Sequence, residues 1–465
     1  MRQSCVASVL SLAILLAGCA SIHNLPGNEP LTAATPAELQ AAIMTGSDDP
    51  AYLDDMLVAL AFSGGGTRAA AFSYGVLTEL DQIHLPGTGG AVPLTERIDF
   101  ISGVSGGSVT AAYFGIKKRA ALADFRERFL HRNAEESLVT LVTAGTLARG
   151  LSGGVNVSNF PKWLDENLFE GATFGQLRED RRPRIWINAS DIYNRTPFVF
   201  GRTAFSLLCS DLNSYKIAEA VAASAAIPVV FAPIVIENYA EKCRASLPAW
   251  AERARRDRKA SPMLKAFAQG LERYRDGTVK YVKLLDGGLV DNFGLSGFTI
   301  ARESSDTPYG PLTPEQAVRV RRGLFLVVDA GKGPAGDWVR SVEGPVGAEL
   351  IMAAADTAVD AGERASFSAF ERTTQGWQQD LIRWRCGLSA AQRRRFGAPA
   401  GWNCRDVKFF VGHVDFDQLG EARAAALNQV PTRFSLPREQ VELVIEAGQE
   451  AVRGNYMFRA FVDSL

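Results

Sequence analysis

Three glycine-flanked groups hold the residues of this chain best suited to chemistry: a serine, a run of backbone amides and an aspartate. Gly103-Val104-Ser105-Gly106-Gly107 fits the pattern G-x-S-x-G. Small flanking residues let such a serine occupy a strained strand-to-helix turn, where the new helix aims free N–H groups at developing negative charge. The plainer reading is a tight Gly/Ser turn that only caps a helix. Gly64-Gly65-Gly66-Thr67-Arg68 lets several backbone N–H groups converge on one small anion, either an oxyanion or a phosphate. Gly64-x-Gly66-x-x-Ala69 also fits the dinucleotide fingerprint G-x-G-x-x-G/A, and a loop that merely packs a helix on a strand is a third reading. Asp286-Gly287-Gly288 offers a carboxylate beside residues that leave it accessible. The chain holds 43 glycines, so no single match decides anything.

The elements that must position these groups are legible around them. Leu57–Phe62 is apolar throughout, as a central parallel strand requires, and the glycine run follows it. Arg68–Leu80 reads as a helix. Ile98–Ile101 is a short strand before Ser105, and a helix runs from about Ser105 to Gly115. Arg184–Ala189, Phe198–Phe200, Tyr281–Leu285 and Leu324–Val328 read as further strands, and Lys216–Ala226 as a helix that stops before Pro228. Asp286 thus stands at the C-terminal end of a strand, where α/β sites gather. The alternation predicts an α/β fold, a three-layer α/β/α arrangement with a mostly parallel central sheet. Residues 240–277 are charged and helical, with Arg253, Arg255, Arg256, Arg258 and Lys259 close together. They read as a solvated face, the rival being a basic flap that meets anionic headgroups. Residues 373–405, with Trp377, Trp384, Trp402, Cys386 and Cys404, read as a stapled excursion. Val407–Val411 and Arg438–Val452 follow as a strand and a helix.

Taken together and in this order, the glycine loop, G-x-S-x-G and D-G-G resemble the patatin-like phospholipase family over roughly residues 57–330. Ala223-Ser224-Ala225-Ala226-Ile227-Pro228 and Asp291-Asn292 resemble further blocks of that family. The chain departs from it at Ala69, where glycine is common, and at Phe293-Gly294, where proline often follows the Asp-Asn pair. The resemblance implies a serine–aspartate dyad without histidine. Ser105 would attack a lipid carboxylic ester, and Asp286 would take its proton and later activate water. Gly64, Gly65, Gly66 and Gly106 would form the oxyanion hole, and Arg68 would steady the loop or touch a substrate phosphate. An acyl-enzyme follows from such a nucleophile, and a dry site makes a carboxylate a useful base. No metal and no organic cofactor is implied.

Four histidines test this independently: His23, His84, His131 and His413. Only His413, after the Val407–Val411 strand, can complete an esterase triad in the order Ser, Asp, His. That triad enzyme and a non-catalytic anchored scaffold are the alternatives to the dyad.

Composition excludes some classes. The 50 basic and 51 acidic residues leave a net charge of −1, which gives no general attraction to nucleic acid or to an anionic surface. Membrane contact therefore needs a specific device, and the first residues supply one. Val6 to Ala17 is a nearly unbroken apolar run, too short to span a bilayer, and Leu16-Ala17-Gly18 precedes Cys19. This is similar to a lipoprotein lipobox, which implies a signal peptide over 1–18 and lipidation at Cys19. Ala20 after it resembles outer-membrane sorting, facing the periplasm. An ordinary cleaved signal is the rival. Residues 19–50, rich in Pro, Ala, Thr and Asp, read as a linker. They precede a catalytic domain over 51–335 and a C-terminal extension over 336–465 packed on it. Cys209, Cys243, Cys386 and Cys404 are an even set in an exported chain, hence disulfide candidates, with sequence neighbours favoured as pairs. The expected partner is a membrane lipid or lysolipid substrate.

Overall fold

Strand β1, Met56–Phe62, is apolar on both faces because both faces are covered. Val58, Leu60 and Phe62 point into the main core, while Ala59 and Ala61 point into a second cluster with Phe325, Val327, Phe370 and Trp377. This period-two division is what a sheet between two helical layers requires. A computed structural model of the chain describes residues 25–32, 55–85, 91–136, 159–177, 182–228, 231–243, 245–333 and 336–465. The expected signal peptide 1–18, Cys19, His23 and most of the 19–50 linker lie outside the described residues. Within that linker, residues 25–32 lie along the body: Asn28 donates to Ser210 Oγ and to Glu237 O, and Leu31 N–H donates to Cys209 O.

The remaining strands are β2 (His84–Leu85), β3 (Val92–Pro93), β4 (Phe100–Val104), β5 (Arg184–Asp191), β6 (Thr196–Val199), β7 (Ile234–Glu237), β8 (Tyr281–Asp286), β9 (Arg322–Val328) and β10 (Lys408–Val414). The main sheet runs β10-β9-β1-β4-β5-β8-β7, with β6 paired to β5. β10, β9, β1, β4 and β5 are mutually parallel, and β6, β7 and β8 are antiparallel to their neighbours. The fold is therefore α/β with a mostly parallel central sheet. Strand β5 sets the register of the chemistry. Val104, the last residue before the serine, faces Asn188, and Asp286 faces Ala189, the next position.

The helices that matter here are α1 (Gly66–Gln82), α2 (Gly106–Lys117), α3 (Ile217–Ser224), α4 (Ala249–Arg256), α5 (Pro262–Arg275), α6 (Ala348–Cys386) and α7 (Arg438–Gly454). Helices α1 and α7 cross closely through glycines: a Cβ on Gly75 would lie 2.1 Å from Ile445 O. Helices α4 and α5 form the charged hairpin. Leu264, Ala268, Leu271 and Tyr274 bury one face of α5, while Arg256, Arg258 and Lys259 stay exposed. The expected excursion over 373–405 is instead the end of the 39-residue helix α6 and a short return to β10. Cys386 pairs with Cys404 across that return, and Cys209 pairs with Cys243. Among the described residues no helix is long and apolar enough to cross a membrane.

Candidate active site

Ser105 sits between β4 and α2 with φ 49° and ψ −121°, a left-handed φ that a non-glycine residue adopts at a cost. Its surroundings hold it there. Its own N–H donates to Ser224 Oγ at 2.8 Å, and that hydroxyl donates to Asn188 O at 2.5 Å. The flanking glycines are required sterically: a Cβ on Gly106 would lie 1.9 Å from Gly66 O, and one on Gly107 would lie 2.5 Å from Ser63 O.

Asp286, at the end of β8, has the Ser105 side chain beside its carboxyl. The two side chains are 2% and 8% exposed, so the pair is shielded from bulk water. Burial pushes the Asp286 carboxyl up to about 6, against the Gly288 N–H and the Ser105 hydroxyl, which both favour its charged form. The Gly288 N–H donates to Asp286 Oδ1 at 2.8 Å. The Ala223–Pro228 block clamps both partners. Ser224 grips the Ser105 amide through its side chain, while Ser224 O accepts from Gly287 N–H and Ala226 O accepts from Asp286 N–H. Motif reasoning marked this block without giving it a task; the structure gives it one.

The glycine loop crosses beside the serine, where a Cβ on Gly64 would lie 3.4 Å from Ser105 Cβ. Gly65 and Gly66 take φ values of 137° and 62°. Among the described residues no acceptor takes the N–H of Gly65, Gly66 or Gly106. The last two open helices α1 and α2, whose first amides have no partner within the helix. Gly64 differs, which corrects its assignment to the oxyanion hole. Its N–H donates to Asn292 O and to Asn292 Oδ1, each at 3.2 Å, so this amide is already engaged. The expectation that Arg68 touches substrate is corrected as well. Its side chain is buried, with Nε donating to Ala330 O at 2.9 Å and one terminal nitrogen to Val430 O at 2.7 Å. Its role is to staple the start of α1. Gly294, where the expected proline is missing, has φ 67°, which a proline ring forbids; its carbonyl accepts from Ser102 Oγ.

His413 lies on β10 with Nε2 3.2 Å from Asp329 Oδ2 and Nδ1 2.9 Å from Asp415 Oδ2. Burial opposes its charge, but the two carboxylates outweigh burial and push it up to about 10. Both ring nitrogens face carboxylates other than Asp286, and a protonated imidazole cannot accept the serine proton. This geometry does not fit the triad. Beside it, burial and the Asp329 charge raise the carboxyl of Glu363, a residue with no sequence signal, to about 8.

The family model described as patatin-like phospholipase matches residues 60–299, which contain the serine, the aspartate and the glycine loop. The chain belongs to the patatin-like phospholipase family. No curated protein matches it in sequence. Among solved structures, this patatin-like chain is similar to human GIVD cytosolic phospholipase A2, at 12% identity and a TM-score of 0.42, covering 92% of this chain and 62% of that one. It is also similar to VipD from Legionella pneumophila, at 13% identity and a TM-score of 0.32, covering 97% of this chain and 72% of that one. The patatin-like chain thus spans less than two thirds of the phospholipase chain it matches.

Proposed function

We propose that the protein is a serine acyl hydrolase that cleaves carboxylic esters of membrane phospholipids or lysophospholipids through a Ser105–Asp286 dyad. The observation that carries this reading is the buried pairing of Ser105, held at φ 49°, with the Asp286 carboxyl, which burial raises to about 6. Ser105 Oγ attacks the ester carbonyl as its proton passes to Asp286. The protonated Asp286 returns that proton to the leaving alcohol, leaving the acyl group on Ser105. Water, deprotonated by Asp286, then attacks the acyl carbonyl, and Asp286 passes that proton to Ser105 Oγ as the fatty acid leaves. The N–H groups of Gly65, Gly66 and Gly106 face the tetrahedral oxyanion, where preorganised donors act most strongly in a dry site. We further propose that Cys19 carries a lipid anchor in a bacterial outer membrane, facing the periplasm, which would hold the enzyme beside its substrate. Loss of palmitate labelling in Cys19→Ser tests the anchor.

The decisive experiment is p-nitrophenyl ester hydrolysis by the full chain, with fluorophosphonate labelling of the serine. Ser105→Ala and Asp286→Asn are expected to lower turnover by ~10³-fold or more, as loss of a nucleophile or its base does in other serine hydrolases. His413→Ala is expected to leave turnover largely intact. Failure of Ser105 to label, or loss of activity in a folded His413→Ala protein, sinks the dyad.

A further inference from the structure

The glycine loop cannot hold its own shape. Its two positive-φ residues make no internal ladder, and the amides it presents must stay unpaired until substrate arrives. Its far end is tied down: Thr67 N–H donates to Arg433 O at 2.7 Å, and Arg68 is stapled to Ala330 O and Val430 O. Its near end depends on Asn292. The Asn292 side-chain oxygen accepts the Gly64 N–H, and the Asn292 amide nitrogen donates to Glu363 Oε1 at 2.5 Å. Glu363 stands on α6, outside residues 60–299 that match the family. It is half-buried, with Asp329 at the end of β9, His413 on β10 and Asp360 on its own helix as charged neighbours. Its neighbour Asp360 faces Asp356 and Arg364 in turn.

We propose that Glu363 is a positioning residue for the oxyanion loop: its carboxyl fixes the Asn292 carboxamide, and Asn292 fixes the Gly64 amide beside Ser105. The C-terminal stretch thereby reaches into the catalytic site without touching substrate. A carboxamide held at both ends has one orientation. Released at the Glu363 end, it can rotate and give up the Gly64 N–H, which then keeps only the Asn292 backbone carbonyl. The amides of Gly65 and Gly66 follow from where Gly64 sits, so loosening it misdirects them. Direct loss of one oxyanion donor costs roughly 10²–10³ in kcat, and a donor that is misdirected rather than removed costs less, about tenfold.

This inference rests on the dyad reading, and the test separates the two. The full chain is assayed on p-nitrophenyl butyrate with Ser105→Ala in parallel. Glu363→Leu, which has no acceptor, is expected to lower kcat about tenfold with KM essentially unchanged. Glu363→Gln keeps an acceptor of the same reach and is expected to recover most of that loss. In an Asn292→Ala background, Glu363→Leu should cost little more, because both act through one chain of bonds. Wild-type kcat in a folded Glu363→Leu protein overturns the proposal. So does a change confined to KM, a Gln variant as impaired as Leu, or full additivity with Asn292→Ala. Should Glu363→Leu fail to fold, Glu363→Ser takes its place with the same expectations. Activity surviving in Ser105→Ala would instead sink the dyad and leave the loop geometry standing.

Discussion

As the proposed base, Asp286 works under two opposed demands. A base must be ionised, yet its burial opposes ionisation and lifts its carboxyl to about 6. The dyad therefore predicts that kcat/KM rises with pH through about 6 and levels off above it. An acid limb centred near 4 would mean that the carboxylate is not desolvated in solution. The same shift has a stability consequence with a definite sign. A folded-state carboxyl held above its unfolded value contributes stability that is complete below about 3.8 and is lost as pH rises through about 6. At pH 8 the ionised group therefore burdens the fold by on the order of 1–3 kcal/mol. Asp286→Asn removes that charge, so it should melt higher than the parent at pH 8, with the gap closing toward pH 4, while its activity is lost. Thermal melts of both proteins across that range check this. A variant less stable than the parent at pH 8 would count against a strained base.

Elements position these groups by close approach more than by bulk. The crossing of α1 and α7 is the clearest case, because α1 begins in the glycine loop. With Gly75 packed against Ile445 O and Gly448 against Phe72 O, no side chain fits between the two backbones. Gly75→Ala should force the helices apart and cost about 1–3 kcal/mol, as overpacking generally does. Equilibrium urea unfolding measures it, and an unchanged midpoint would show that the crossing can relax. Much of this element level was legible beforehand. Strands β1 and β4 stood out because parallel strands buried on both faces read as apolar runs, whereas β8, antiparallel and exposed at Tyr281 and Lys283, was marked by the Asp286-Gly287-Gly288 at its end. Helix α6 did not stand out. Its N-terminal half is largely exposed and lacks a strong periodic stripe, so only Trp377, Trp384 and Cys386 in its later part gave a signal, and with Trp402 and Cys404 they suggested an excursion. The site shows the same division. Ser105 and Asp286 announce themselves because strained turns demand glycine neighbours. The engaged state of the Gly64 amide, the buried Arg68 and the Glu363 contact depend on pairings between residues far apart in the chain, which local pattern does not encode.

At the scale of the whole molecule, residues 336–465 are built into the same sheet and core as the residues that match the family. Strand β10 pairs with β9 along seven positions, from Lys408↔Arg322 to Val414↔Val328. Helix α7 buries Val441, Val444, Ile445, Ala451 and Val452 in the main core. Arg433 O and Val430 O receive the Thr67 amide and the Arg68 guanidinium at the start of α1. A chain ending at residue 335 would expose the β9 edge, uncover one face of α1 and leave buried donors of the catalytic loop without acceptors. Each unpaired buried donor costs ~1–3 kcal/mol, and an apolar strand edge is a template for aggregation. Such a truncated protein is therefore expected to accumulate as insoluble material and to show no fluorophosphonate labelling of Ser105, while the full chain labels. A soluble, cooperatively melting, labelled fragment would mean that residues 336–465 are an accessory module. An insoluble one would mean that the catalytic loop and the C-terminal stretch fold as one unit.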